Sequence, residues 1–279
     1  MTIHIVTDST SDLDPELANQ YGITIVPLNV HFGNQTYKDG IDINTDDFFR
    51  KLTTGPDFPS TSQPSVGEFV NVYEKLGEKN DQILSIHISR KLSGTMNSAE
   101  LAAKQVGKNI IVSVIDTKQC SITIGFIALA AAKAVKANKS INEILEIINS
   151  TSMRSHVFVL LDTLQYLEKG GRIGKAKSLM GSLLKIKPML RITDGEVDEF
   201  GKARSQSSGL IKLEQAIQSL GKIQDIGIIY STNKEVALEF SNTLKAMLPN
   251  GPTPLIAQVG PVIGTHAGPN MIGVAAITI

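Results

Sequence analysis

Hydroxyl-bearing residues follow a predicted buried strand at Ser93-Gly94-Thr95, and this stretch has the chemistry to hold an anion. Residues 83–88 before it are rich in β-branched side chains, and residues 96–106 after it are rich in helix formers. A turn between a strand and a helix presents free backbone N–H groups and the positive end of the helix dipole, to which hydroxyl groups add donors. Such a turn suits a carboxylate or a phosphate. The alternative, that Ser93 or Thr95 only caps the helix, stays open on this stretch alone.

Two further irregular segments, 60–65 and 264–268, carry hydroxyl groups or a histidine in predicted loops, where function tends to reside. In the second segment His266 stands between Gly-Thr and Ala-Gly-Pro, and we expect turns, not a helix or a strand, to hold its backbone. Arg172 follows two glycines in a basic loop. It is either a solvated loop arginine or a contact for an anion or a partner protein.

Several kinds of chemistry have no motif in this sequence. There is no GxSxG elbow, no Walker A or GxGxxG phosphate loop, and no paired CxxC. The five histidines never fall at HxH or HExxH spacing, so a metal site has no sequence support. His4 and His87 lie in predicted strands and are interpreted as hydrogen-bonded core or edge side chains. Basic residues do not alternate with aromatic ones, which argues against nucleic-acid binding.

The composition predicts a globular protein of one large domain or two ordinary ones. The chain has 279 residues, of which 42% are hydrophobic and 19% charged, and Lys+Arg and Asp+Glu both number 27. Acidic residues at Asp8 and Asp12 interrupt any signal-peptide core, and the apolar run 122–132 is too short to span a bilayer. A single cysteine, Cys120, excludes an internal disulfide and fits a reducing cytoplasm.

The first part of the chain alternates predicted strands with helices, which favours a parallel sheet flanked by helices. The predicted strands are 3–7, 23–32, 83–88 and 110–115, and the helices are 15–21, 44–52, 66–76, 96–106, 122–137 and 142–150. The apolar helix 122–137 should be buried between layers. Because ligands bind at the carboxyl ends of parallel strands, we expect Asp8-Ser9, Ser93–Thr95 and Asp116-Thr117 to meet at one edge.

From about Val157 the pattern changes to hairpins and helices, typical of an α+β domain with a mostly antiparallel sheet. The predicted elements are strands 158–161, 226–230, 253–259 and 272–279, a hairpin of 185–193 and 196–200 around Asp194-Gly195, helices 163–169, 178–184, 207–220 and 234–247, and a turn-rich segment 260–269. We therefore predict an α/β domain over residues 1–155 and an α+β domain over residues 156–279, with a ligand site between them.

Five segments taken together resemble the DegV family of bacterial fatty-acid-binding proteins. They occur in family order: Ile5-Val-Thr-Asp-Ser-Thr-Ser-Asp12, Thr61-Ser-Gln-Pro-Ser65, Ile88-Ser-Arg-Lys-Leu-Ser-Gly-Thr95 with Ser98-Ala99, Leu167-Glu-Lys-Gly-Gly-Arg-Ile173 and Gly264-Thr-His-Ala-Gly-Pro269. The chain departs from the pattern at Asn270, where the family usually has glycine. Asparagine tolerates left-handed φ values, so we expect the turn there to be kept.

The resemblance implies a carrier and not an enzyme: one long-chain fatty acid lies in an apolar tunnel between the domains. The family positions imply that Ser93 and Thr61 hydrogen-bond its carboxylate, with Ser62, Gly94 and Thr95 nearby. They also imply that a separate ATP-dependent fatty acid kinase subunit converts the bound acid to an acyl phosphate for bacterial phospholipid metabolism. Arg172 and His266 match positions associated with that partner or the phosphoryl step. No metal or cofactor is implied, and the resemblance allows transient contact with a membrane.

Two other hypotheses remain from the residues themselves. One is an enzyme that acts on a small phosphorylated substrate in the inter-domain cleft, with Asp8 or His266 as acid or base. A closed apolar tunnel would favour the carrier, and an open polar cleft would favour the enzyme. The other is an interaction protein without a ligand, which gives no reason for three hydroxyl-rich loops at one sheet edge. No hydrophobic stripe is left over in the predicted helices, which favours a monomer.

Overall fold

The computed structural model describes residues 2–77, 81–107, 109–179, 186–248 and 251–279. Within these ranges the strands are β1 (Ile3–Asp8), β2 (Ile23–Val26), β3 (Asn29–Phe32), β4 (Gln35–Lys38), β5 (Ser60–Ser62), β6 (Gln82–His87), β7 (Ile111–Asp116), β8 (Ser155–Leu160), β9 (Lys187–Thr193), β10 (Glu196–Ala203), β11 (Ile223–Tyr230), β12 (Leu255–Gln258) and β13 (Ile272–Thr278). The α-helices are α1 (Pro15–Tyr21), α2 (Thr45–Thr54), α3 (Val66–Leu76), α4 (Thr95–Gln105), α5 (Ile122–Lys136), α6 (Ile141–Met153), α7 (Gln165–Lys169), α8 (Gln206–Ser219), α9 (Lys234–Met247) and α10 (Pro261–Ala267).

The described strands form three sheets. The first is parallel, with the order β2-β1-β6-β7. The second has the order β10-β9-β8-β13-β11-β12 and is antiparallel except for the pair β11 and β12. The third is a small antiparallel sheet, β4-β3-β5. The predicted fold class, a parallel sheet flanked by helices plus a mostly antiparallel second sheet, is confirmed.

Helix α5 lies between the two large sheets and packs on strands of both. Its residues on nearly every side are buried, because an Ile- and Ala-rich helix without a polar face is stable only inside the protein. Helices α3 and α4 cover the outer face of the parallel sheet, and α8 and α9 cover the outer face of the second sheet. The layers are therefore helix, sheet, helix, sheet, helix. In the part of the chain that the structure describes, no helix is both long and apolar enough to span a bilayer.

One apolar cluster runs through the inner layers from Ile5 to Ile277 and so joins the first and last strands of the chain. The division into domains 1–155 and 156–279 stays a prediction. The predicted helix 178–184 lies mostly outside the described residues, although a 3-10 turn covers Gly174–Leu179.

Polar side chains cap the starts of several helices. Asp14 and Asn44 accept hydrogen bonds from the first turns of α1 and α2. Ser65 and Ser140 each form a capping box, with Glu68 and Glu143 three residues later. These starts could be located from the sequence because the bonds that fix them are local.

Three sequence predictions were wrong. Residues 23–32 form two strands, β2 and β3, in different sheets, because Pro27 interrupts the backbone donors between them. The segment expected to be a loop up to Ser65 contains β5, which pairs with β3. The segment 260–269, expected to be turns, contains helix α10, with Gly260 as its N-cap and Pro261 in its first turn.

Shortening Ile127 to valine is expected to lower the free energy of unfolding by about 0.5–1.5 kcal/mol, because the lost methyl group leaves a gap in a packed layer. Ile127 lies in α5 and is completely buried. Urea unfolding of the two proteins measures the difference. The matched exchange Ile211→Val, at a side chain 52% exposed on α8, should change the free energy of unfolding by less than about 0.5 kcal/mol. Equal losses at both positions would contradict the buried position of α5.

Candidate ligand-binding site

A cavity lies between the inner face of the second sheet and segments from the first part of the chain. It holds about 940 Å³ of space between protein atoms, its mouth included. Its apolar wall comes from strands, loops and α10 and consists of Leu28, Ile88, Leu92, Val157, Val159, Leu161, Leu167, Leu190, Ile192, Val197, Ile229, Val262, Ile263, Ala267 and Met271. Five of the predicted site residues also line it: Thr61, Ser62, Ser93, Arg172 and His266.

The apolar wall follows from the period of the strands. Val157, Val159 and Leu161 are two residues apart along β8 and its end, so they share one face of the sheet. Phe158 and Leu160, between them, belong to the separate apolar cluster on the other face, under α8 and α9. One face of β8 therefore packs against helices α8 and α9, and the opposite face borders the cavity.

Ser93 is held at the start of α4 by two contacts with Thr95. The backbone N–H of Thr95 donates to Ser93 Oγ over 3.3 Å, and Thr95 Oγ1 lies 2.8 Å from the same oxygen. When both groups donate to Ser93 Oγ, its own O–H can donate to a molecule in the cavity. Gly94 is the N-cap, and Thr95 is fully buried. The alternative that Ser93 or Thr95 only caps α4 is therefore wrong, because Gly94 is the N-cap and no side chain makes a cap hydrogen bond.

Thr61 and His266 line the cavity and contact each other, and we call the part of the cavity beside them its polar end. Thr61 lies in β5, and His266 lies near the end of α10, with Thr61 Oγ1 3.0 Å from His266 Nε2. The sequence analysis placed both residues in loops, yet each is held by a regular element. Packing of α10 against β5 and β3 brings the two side chains together.

Arg172 supplies the positive charge of this end of the cavity. Its Nε donates to the carbonyl of Leu92 over 3.2 Å, and Nη1 donates to the carbonyl of Gly170 over 2.7 Å. Burial, with a smaller contribution from Arg172, lowers the pKa of His266 to about 4. At neutral pH the imidazole is therefore neutral, and the guanidinium remains the charge available to attract an anion.

Ser62 is bound into the small third sheet. Its Oγ lies 2.9 Å from His31 Nε2 and accepts a hydrogen bond from Asn29 Nδ2 over 3.2 Å. His31 Nδ1 in turn lies 2.9 Å from Thr36 Oγ1. Ser62 therefore reaches the cavity as the end of a chain of polar side chains on β3 and β4.

Two buried carboxylates hold the start of α10. Asp12 accepts hydrogen bonds from the Gly260 N–H over 2.8 Å and from the Ser121 hydroxyl. Asp39 accepts from the Ser9 hydroxyl over 2.7 Å and from the backbone of Val262. Negative charge at a helix N-terminus is favourable, so these groups fix the helix that carries His266. Burial nevertheless raises the pKa of Asp39 to about 6 and raises that of Asp12 well above its usual value.

We expect Asp39 to make the protein less stable as pH rises from about 4 to 6. The folded protein keeps the Asp39 proton up to a pKa of about 6, whereas the unfolded chain releases it near 3.8. Where the folded state binds more protons, the free energy of unfolding falls as pH rises. Urea unfolding at pH 4, 5 and 6 should therefore show a shallower fall for Asp39→Asn than for the unchanged protein. An unchanged slope would contradict this role, and Asp57→Asn at the exposed Asp57 is the matched control.

The carboxyl ends of β1, β6 and β7 lie at one edge of the parallel sheet, as predicted. Asp8, however, points into the protein: its carboxylate accepts from the backbone of Thr10 and Ile88 over 3.0 and 3.2 Å, and lies 2.8 Å from His87 Nδ1. Asp8 and His87 are both fully buried. Thr10 lines the cavity, whereas Asp8 does not.

Sequence reasoning missed several residues of this site. Thr10, Gln63, Cys120, Ser121 and Arg191 also line the cavity. The alternation along β8 was a usable signal for the apolar wall, but no local signal marks Cys120 or Arg191. Among the residues that the structure describes, no group of three or more His, Cys, Asp or Glu side chains is placed to hold a metal ion.

The fold and the site first define a class: an α/β protein with a mostly apolar cavity on the inner face of its second sheet, lined in addition by hydroxyl groups. Comparison with known proteins gives the family. The model described as "Uncharacterised protein, DegV family" matches residues 2–278. The chain belongs to the DegV family.

Relatives and solved structures match over the whole chain. A DegV domain-containing protein of Deinococcus radiodurans is 36% identical over 281 residues, which cover 99% of this chain and 98% of the relative. A DegV family protein from Thermus thermophilus, described by its fatty acid binding, superposes with a TM-score of 0.92 at 34% identity, covering 100% of both chains. DegV from Bacillus subtilis, described as a fatty acid binding protein, gives a TM-score of 0.92 at 31% identity, again covering 100% of both chains.

Proposed function

We propose that this protein binds one long-chain fatty acid, with the carboxylate at the Ser93 and Thr61 hydroxyls and the tail along the apolar wall between the two predicted domains. The observation that carries the proposal is the lining of the cavity: its wall is mostly aliphatic, and the hydroxyl groups of Thr61, Ser62 and Ser93 line it together with Arg172 and His266. A carboxylate is recognised by hydroxyl and N–H donors, and an acyl chain by a dry aliphatic surface. The related structures described as fatty-acid-binding support the same ligand class.

The tail supplies most of the affinity in this proposal. Burial of one CH₂ group contributes about 0.8 kcal/mol, so a long chain outweighs any single hydrogen bond to the carboxylate. Gly94 contributes the N-cap and Thr95 the bonds that hold Ser93. Ser62, anchored by His31, is the further hydroxyl near the head group.

We propose further that the protein is a carrier that presents the bound acid to a separate ATP-dependent kinase in the cytoplasm. A carboxylate oxygen would attack the γ-phosphorus of ATP, ADP would leave, and an acyl phosphate would form for phospholipid synthesis. Arg172 and the neutral His266 would face the anionic head group during that step. Their position at the polar end supports this role, since a guanidinium stabilises the charge of a phosphoryl group.

The alternative, an enzyme acting on a small phosphorylated substrate, has less support. Asp8, its proposed acid or base, is fully buried and bonded to Thr10, His87 and Ile88 away from the cavity. His266, with a pKa lowered to about 4, is not protonated at neutral pH and cannot act as an acid there. A mostly aliphatic wall offers a small polar substrate few partners.

Mass spectrometry under native and then denaturing conditions tests the proposal. We expect the purified protein to carry a mass excess that is lost on denaturation, with a fatty acid of defined chain length released. A lipid-free mass that does not change after incubation with hexadecanoic acid would overturn the carrier proposal and favour the enzyme. Addition of ATP and a fatty acid kinase subunit to the loaded protein should then yield acyl phosphate, and the carrier alone should not.

A further inference from the structure

Gly170 and Gly171 follow α7 beside His266, and only one of the two positions has a backbone conformation that favours glycine. Gly171 has φ +68°, in the left-handed region that favours glycine. Gly170 has φ −77° and ψ −6°, a conformation that any residue adopts readily. The backbone of Gly170 therefore does not require glycine, and the reason must lie in what surrounds it.

The imidazole of His266 occupies the space that a side chain at residue 170 would fill. A Cβ built on Gly170 would lie 2.1 Å from His266 Nδ1 and 2.6 Å from its Cε1. Helices α7 and α10 pack together, and a second close approach fixes them: a Cβ on Gly268 would lie 2.3 Å from Tyr166 Cδ2. The ring is therefore clamped between its own helix and the end of α7.

The two ring nitrogens have different surroundings. Nε2 lies 3.0 Å from Thr61 Oγ1, whereas Nδ1 is buried and has no hydrogen-bond partner among the described residues. Against Gly170, a protonated Nδ1 would be a buried donor without an acceptor, which proteins avoid more strictly than an acceptor without a donor. The proton of the neutral ring therefore belongs on Nε2, facing Thr61.

We propose that Gly170 is a positioning residue that seats His266 as the Nε2–H tautomer. In this state Nε2–H donates to Thr61 Oγ1, and the Thr61 hydroxyl keeps its own proton to donate to a bound acceptor. That the acceptor is a fatty acid carboxylate rests on the proposed function. The tautomer itself does not depend on it. In the opposite tautomer the Thr61 hydroxyl would donate its hydrogen bond to Nε2 of His266, and the ligand would lose one donor.

Nitrogen-15 NMR of the histidine-labelled, lipid-free protein at neutral pH measures the tautomer directly, and His266→Gln identifies the His266 signals. We expect Nε2 to show the shift of a protonated nitrogen and Nδ1 that of an unprotonated one. The reverse assignment would overturn the proposal. Because no fatty acid is present, a failure of the carrier proposal would leave this result unchanged.

Variants test the part played by Gly170. Gly170→Ala should displace the ring, change the His266 nitrogen shifts and weaken hexadecanoic acid binding about tenfold, and adding Thr61→Val should cause little further loss. Gly67→Ala in α3, where a Cβ would meet nothing within 4 Å, is the matched control and should change neither measurement. Unchanged His266 shifts in folded Gly170→Ala would overturn the proposal. If Gly170→Ala does not fold, Thr61→Val decides: a kept Nε2–H preference supports seating of the ring by Gly170, because Nδ1 is still buried against Gly170 without an acceptor, and loss of the preference overturns it.

Discussion

Exchange of Val159 for phenylalanine is expected to weaken the binding of hexadecanoic acid by about 200-fold while the protein still folds. Val159 lies on the cavity wall and covers Gly273, where a Cβ would lie 2.7 Å from Val159 Cγ1. A phenyl ring adds about four carbon atoms and displaces about four methylene groups of the acyl chain, each of which contributes about 0.8 kcal/mol. The ring has nowhere to go but into the cavity, because the sheet lies behind it.

Competition binding with acids of graded length measures this effect. An acid about four carbons shorter should recover most of its affinity for Val159→Phe, since its tail no longer needs the lost space. Ile211→Phe, at an exposed position on α8, is the control and should bind as the unchanged protein does. Undiminished hexadecanoic acid binding by folded Val159→Phe would show that the tail does not follow this wall.

Replacement of Ser93 by alanine is expected to lower acyl-phosphate formation by about 10- to 150-fold, and to lower lipid retention much less. A hydrogen bond to a charged group contributes about 1.5–3 kcal/mol, and the Ser93 hydroxyl also aims the carboxylate oxygen at the incoming phosphorus. The tail contacts that dominate retention are unchanged by the substitution. The greater effect therefore falls on the step that needs alignment.

The two losses are measured separately, by acyl-phosphate formation with the kinase subunit and by the bound fatty acid per protein after purification. Ser98→Ala provides a control in the same helix, because Ser98 is buried in α4 and does not line the cavity. Equal losses of retention and acyl-phosphate formation in Ser93→Ala would contradict the alignment role. They would assign Ser93 to binding alone.

The elements that the sequence predicted well are those whose stability is local. Ser65 and Ser140 form capping boxes within four residues, and Asp194-Gly195 forms a hairpin turn with positive φ at both positions. In each case the residues that stabilise the structure are neighbours in the sequence. The apolar pattern of α5 likewise required burial wherever the helix was placed. Helices and most strands could therefore be located without knowledge of their neighbours.

The elements that the sequence missed depend on distant partners. The β5 strand has no apolar side chain of its own, and it exists because β3 offers hydrogen bonds. The α10 helix is only seven residues long and contains a glycine, and its first N–H groups are bonded by Asp12 and Asp39, more than 200 residues away in the sequence. Short helices of this kind are marginal without tertiary contacts. His266 was therefore assigned to a loop, although the resemblance marked it as a site residue.

The contact between Thr61 and His266 joins positions 205 residues apart, and this has a consequence for the synthesis of the chain. A ribosome makes Thr61 and Ser93 before α10, and N-terminal parts of a protein usually begin to fold first. Until α10 docks on Asp12 and Asp39, the nascent chain therefore lacks His266 and the part of the cavity wall that Val262 and Ile263 form. A prematurely terminated chain would lack the closing helix altogether. The contact between Thr61 and His266 can therefore form only after α10 has been synthesised and has docked.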